Sequence, residues 1–225
     1  MMKLSKETTE ILKNFATINP SLLFQAGSVQ KTVSPQKTVL ARANVSESFT
    51  KEFAVYDLTQ LISSISMMED PDLNLGDENI VISNGKGKTY FRYASSELIQ
   101  SPPSKDVVLP SKDMSFELEA VAVQSALRAA GVLNLPELAL VGRNGKAYFS
   151  ALDSRGNGGA GHFFEYEVGE SKVNCRTVFK VENLKIMNRD YIVDVSVKGI
   201  SHFKSKTGDV EYWIATEQAA NKYEA

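Results

Sequence analysis

ILKNFATINPSLLFQAG, residues 11–27, decides the fold because its pattern occurs twice. ALRAAGVLNLPELALVG, residues 126–142, repeats its order at an offset of about 116: apolar residues at helical spacing, an Asn, a Pro, then an apolar run closed by Gly. Proline cannot continue a helix and biases the residue before it toward extended backbone, so each copy reads as a helix broken by Pro and followed by a strand. A looser echo follows, VYDLTQLI at 55–62 and KVENLKIM at 180–187, displaced by about ten further residues. The glycine-rich segment SRGNGGAGH, at 154–162, has about that length and reads as a loop inserted in the second copy.

The surrounding residues extend the repeat. Upstream of the first copy, Ser5 caps a helix whose apolar side is Leu4, Thr8, Ile11, Leu12 and Phe15, while Lys3, Lys6, Glu10 and Lys13 share the opposite side. Short alternating runs, SVQKTVS, VLARANV and EFAVYD, then read as antiparallel strands. Asp57 caps a second helix, LTQLISSIS, and three more strand patterns follow in DLNLG, NIVISNG and KTYFRYA. The proline-bearing stretch SSELIQSPPSKDVVLP, at 95–110, reads as an extended connector. Beyond it the order recurs: strand MSFELEA, helix VAVQSALRAAG, four strands, a short fourth helix NLKIM and three closing strands. The expectation is an α+β protein of two similar domains, 1–105 and 111–225, each an antiparallel sheet with two helices on one face.

Composition narrows the chemistry. The 225 residues are 43% hydrophobic and 23% charged, a globular balance, with a formal net charge of −2 and no apolar run long enough to cross a bilayer, which reads as an intracellular protein. One cysteine excludes an internal disulfide, and Cys175 lies in the alternating run VNCRTVFKV, as a structural thiol would. With only His162 and His202, each in a strand-like setting, acid–base and metal chemistry have few candidates, and no metal or cofactor is expected.

Three motifs fail on context. GNGGAG, 156–161, satisfies G-x-G-x-x-G, but the strand pattern HFFEYEV follows it where a dinucleotide site needs a helix. GKGKT, 85–89, lacks the leading glycine of a phosphate loop and runs on as strand, so it reads as a hairpin turn. DPDLN, 70–74, begins like a calcium loop, but Leu75 and Val81 stand where its glycine and closing glutamate belong.

The helix faces are more informative. Gln124 and Arg128 are four apart on the third helix with no acid among 120–130, the fourth carries Lys185, and the second offers only Ser, Thr and Gln. Three of the four helices thus show basic or neutral polar faces on an acidic chain.

MKLSKETTEILKNFATIN, FAVYDL and the block SALRAAGVLNLPELALVGRNGKAYFSALD together resemble the sliding clamps of T4-like bacteriophages, the DNA polymerase processivity factors. The SRGNGGAGH loop and the C-terminal TEQAANKYEA depart from that pattern. The resemblance implies a DNA-clamp fold without enzymatic activity, acting in the cytoplasm of an infected bacterial host. It further implies a homotrimeric ring around duplex DNA, with helices on its inner face, that serves the replicative DNA polymerase and a clamp loader. On that implication Lys3, Lys6, Lys13, Gln124, Arg128 and Lys185 face DNA, and Val107, Val108 and Leu109 of the connector receive partner peptides. The alternatives are a clamp-fold interaction scaffold that does not encircle DNA and an enzyme with an unrecognised site.

Overall fold

The computed structural model describes residues 2–103, 105–155 and 161–223. The chain divides into two units, Met1–Lys105 and Asp106–Ala225.

Unit 1 opens with α1 (Lys6–Ile18), which buries Thr8, Ile11, Leu12, Phe15 and Ile18. Ser5 caps it, its hydroxyl accepting from the Thr8 N–H at 3.1 Å. The carboxylate of Glu47 accepts from the Ser5 N–H and the Thr8 hydroxyl, bringing negative charge to the positive end of the helix dipole. The strands β1 (Leu22–Phe24), β2 (Gly27–Val33), β3 (Val39–Phe49) and β4 (Phe53–Val55) pair as β1 with β4 and β2 with β3, both antiparallel. Phe24 stacks on Phe53 with ring centroids 4.5 Å apart, and Phe49 leans on both, which welds the two pairs. Helix α2 (Leu58–Ser66) starts at Asp57, whose side chain accepts from the Gln60 N–H at 2.8 Å. An antiparallel sheet, β5 (Asp72–Leu75), β6 (Asn79–Ser83) and β7 (Lys88–Arg92), closes the unit, and Gly85 at φ +84° makes the turn that GKGKT foreshadows.

Unit 2 repeats the scheme. β8 (Met114–Leu118) leads into α3 (Ala120–Leu133), whose first N–H is capped by Asp190 at 2.8 Å. A five-stranded antiparallel sheet runs in the order β11 (Phe164–Glu170), β10 (Lys146–Leu152), β9 (Glu137–Arg143), β12 (Cys175–Lys180), β16 (Lys222–Tyr223). A second ladder joins β8 to β13 (Tyr191–Ser196), β14 (Ile200–Ser205) and β15 (Val210–Ala215). Between them Phe179, Tyr191, Phe203 and Tyr212 form a buried chain of edge-to-face rings.

The expected fourth helix does not form. Val181–Asn183 makes one 3-10 turn, and 184–188 is irregular. Two buried tyrosines hold that segment: the Tyr191 hydroxyl donates to the Met187 carbonyl at 2.7 Å, and the Met187 N–H donates to the Tyr212 hydroxyl at 3.2 Å. Burial drives both phenols far above their ordinary pKa, so they stay protonated as this bonding requires. β16 is an element no alternation announced, and positions 156–160 of the glycine-rich loop lie outside the described residues.

Candidate DNA-facing helices and interaction edges

Burial aligns the two repeats more sharply than sequence. Thr8, Ile11 and Phe15 of α1 fall on Val123, Ala126 and Ala130 of α3 at a shift of 115 (for instance 126 − 11). The same shift sets Arg128 at the place of Lys13, since 128 − 13 = 115. On the exposed side, Lys6, Glu10, Lys13 and Thr17 form one row of α1, and Gln124, Arg128 and Val132 lie on the exposed side of α3. α2 exposes Thr59, Ser63 and Ser66, and a groove of about 490 Å³ between α1 and α2 is lined by Lys13, Thr17 and those three residues with Met67 at its end.

The charge on these faces is sparse. α1 carries Lys6 and Lys13 against Glu7 and Glu10, a sum of zero; α2 carries no charge; α3 carries Arg128 alone. Lys13 is paired with Glu10 at 3.0 Å, an exposed i,i+3 contact that a stronger anion can displace. Lys3 precedes the helix cap rather than standing on the helix, and its ammonium is paired with Asp70, which raises its pKa. The neighbouring Met2 bridges to Leu73, so the start of the chain is stitched to β5. Lys185 is exposed but sits on the irregular segment, fixed by the two tyrosines instead of by a helix. In the connector Val107 and Leu109 are half-buried and Val108 is 80% exposed.

Two charge stripes escaped the sequence reading. β7 and the turn before it carry Lys86, Lys88 and Arg92 with no acid among 86–92; β11 carries Glu165, Glu167 and Glu170 with no base. Each is the outermost strand of its sheet, with one side of its backbone unpaired by sheet neighbours. Glu165 already accepts from Arg143 at 2.6 Å and Glu167 from Lys146 at 2.8 Å. The signal lies in the letters: KGKTYFR, 86–92, holds three bases and FEYEVGE, 164–170, three acids, each without an opposite charge.

The residues named for other chemistries settle into structural roles. Cys175 is buried in β12 and burial raises its thiol pKa. His202 is not isolated, since Nε2 lies 2.8 Å from Glu211 and the ring stacks on Trp213 at 4.6 Å. Among the described residues no group of three or more His, Cys, Asp or Glu is placed to hold a metal, and no helix is long and apolar enough to cross a membrane.

Comparison with known proteins gives two family matches. Residues 5–99 match the DNA polymerase processivity factor family, and residues 115–218 match the gp45 sliding clamp C-terminal family. The sliding clamp of Vibrio phage KVP40 is 33% identical over 222 residues, covering 96% of this chain and 99% of that protein. The sliding clamp of Escherichia phage RB69 is 28% identical over 222 residues, covering 96% and 97%. Among solved structures, the PCNA of Thermococcus kodakaraensis superimposes with a TM-score of 0.69 at 15% identity over 94% of this chain and 96% of that one, a likeness of fold.

Proposed function

Because the chain belongs to the sliding-clamp family of DNA polymerase processivity factors, a family of non-enzymatic proteins, we propose that three copies close head to tail around duplex DNA and tether the replicative polymerase. The observation that carries this reading is the pair of unlike edges. A closed ring of identical subunits needs two different surfaces that fit each other, and a basic outermost strand, β7, with an acidic outermost strand, β11, meets that need. Antiparallel pairing of the two would satisfy their open backbone groups and can set Arg92 directly opposite Glu165 with Lys88 diagonal to Glu167.

In this reading Lys6, Lys13, Gln124, Arg128 and Lys185 line the hole, with Lys3 at its margin. Sequence-independent attraction to phosphate depends on the number of cations offered, and each neutralised phosphate steepens the salt dependence by roughly 0.9 in the logarithmic slope. A helix surface whose summed charge is only that of Arg128 attracts DNA weakly, and the hydroxyls of Thr59, Ser63 and Thr17 add contacts without charge. Topology then supplies retention while the contacts permit sliding. The connector residues Val107, Val108 and Leu109 offer apolar surface to peptides of the polymerase and of a clamp loader, which opens the ring in the cytoplasm of the infected bacterium.

Sedimentation equilibrium over a wide concentration range tests the assembly. A species near three times 24.7 kDa is expected. A strict monomer at every concentration would replace the ring with a non-encircling scaffold.

A further inference from the structure

A hollow of about 720 Å³ lies against the five-stranded sheet of unit 2. Val141, Ser150, Arg176 and Lys222 reach it from β9, β10, β12 and β16, and Leu133 and Leu135 flank it from the end of α3. Its volume is that of a small-ligand site.

Register brings two cations together there. Arg176 stands directly opposite both Val141 and Lys222, so the guanidinium and the ammonium leave the sheet side by side on one face. Like charges directly opposite across a strand pair oppose pairing, and neither has a carboxylate within ion-pair reach among the described residues. Nor can Arg176 swing clear, because its Nε and Nη2 both donate to the Ala220 carbonyl, at 3.2 and 3.1 Å. That grip fixes the fork and leaves its Nη1 unused in those two bonds. At the rim Arg143 pairs with Glu165 at 2.6 Å, and the Asp153 carboxylate accepts from the Arg155 N–H at 3.0 Å. Ser150 is 2% exposed and its hydroxyl has no hydrogen-bond partner among the described residues.

We propose that this hollow binds an acidic peptide segment of a partner protein, with a carboxylate between Arg176 and Lys222 and a neighbouring apolar side chain against Leu133, Leu135 and Val141. The two cations supply charge-assisted hydrogen bonds to the carboxylate and relieve their own repulsion on binding. The apolar flank selects peptide over nucleic-acid backbone, because a phosphodiester brings no branched apolar group to fill it. The site's lining lies wholly within unit 2, with Glu165 of the β11 edge at its rim.

The test uses the full chain and fluorescein-labelled acetyl-Asp-Leu-Asp-Leu-Asp-amide, followed by anisotropy, beside a twin in which every Asp is Asn. Saturable binding of the acidic peptide is expected, at least about tenfold weaker for the twin and at least about tenfold weaker for Arg176→Gln/Lys222→Gln. Lys222→Gln alone, at an exposed position, should weaken binding without disturbing the fold, and circular dichroism checks both variants. Lys37→Gln, at an exposed lysine of unit 1, should leave binding unchanged. Equal affinity for the twin, equal affinity of the double variant, or no saturation at roughly millimolar protein would overturn the site. Loss in Val108→Asp with retention in the double variant would move the peptide to the connector.

Discussion

Reversing the charge of one edge should take the assembly apart, and reversing both in the same chain should restore it in part. In Lys88→Glu/Arg92→Glu the basic edge becomes acidic and faces Glu165 and Glu167 of the neighbouring copy. Exposed cross-strand ion pairs contribute about 0.2–1 kcal/mol each, and because both glutamates already have partners in Arg143 and Lys146 the low half of that range applies, about 0.5. Reversal replaces attraction with repulsion, about 1 kcal/mol per pair and about 2 per interface, or roughly 30-fold. A three-interface ring multiplies the effect, and the assembly midpoint, which follows the square root of the trimer constant, rises roughly 150-fold. Sedimentation equilibrium reads that shift directly. Glu165→Lys/Glu167→Lys should do the same by itself. The fourfold swap recovers assembly in part, since Lys at 165 then adjoins Arg143. Mixing the two double variants carries a parity signature: every unlike contact is favourable, yet a ring of three must contain one like contact, so open or even-numbered species should dominate. Unchanged assembly in either double variant would refute the edge pairing while leaving other ring geometries open.

Other expectations are simpler. Lys6→Glu/Lys13→Glu/Arg128→Glu should keep the assembled mass and lower clamp-dependent processive synthesis on primed templates; unchanged synthesis removes these side chains from DNA contact. Phe15→Ala empties a site that is 0% exposed and should cost about 3–5 kcal/mol, seen as a lower urea midpoint. Tyr191→Phe removes the donor to the Met187 carbonyl, costs about 1–3 kcal/mol, and should raise amide exchange across 184–188 while leaving α3 protected. The raised thiol pKa of Cys175 predicts slow reaction with a disulfide reagent at pH 8, speeding as pH rises through the folded-state value; fast reaction in the native protein would contradict its burial.

Much of this architecture is legible in the letters because local chemistry and tertiary placement agree. Ser5 and Asp57 cap where a hydroxyl or carboxylate three residues before a free N–H should, and α1 and α2 bury the residues their spacing selects. Strands with one buried face, such as β8, alternate as written. NLKIM fails because its backbone partners are hydroxyls of Tyr191 and Tyr212, supplied from outside the segment. β16 is two residues long and exists only through its pairing with β12. His202 meets Glu211 across a hairpin, a contact no local pattern encodes. The helix cations were readable as a row, but not that Lys3 and Lys13 already hold Asp70 and Glu10.

Aligned at a shift of 115, the two helices also show how unlike their buried faces are. Where α1 inserts Ile11 and Phe15, α3 inserts Ala126 and Ala130. A graft of α3 into the first unit would leave two vacancies of the kind that cost about 2–5 kcal/mol each, enough to consume most of a domain's stability of about 5–15 kcal/mol. The reverse graft would press an isobutyl-sized and a benzyl-sized group into space cut for methyls. The two units share a plan but not interchangeable parts, since each fits its own helix by volume as well as by its own carboxylate, Glu47 for α1 and Asp190 for α3.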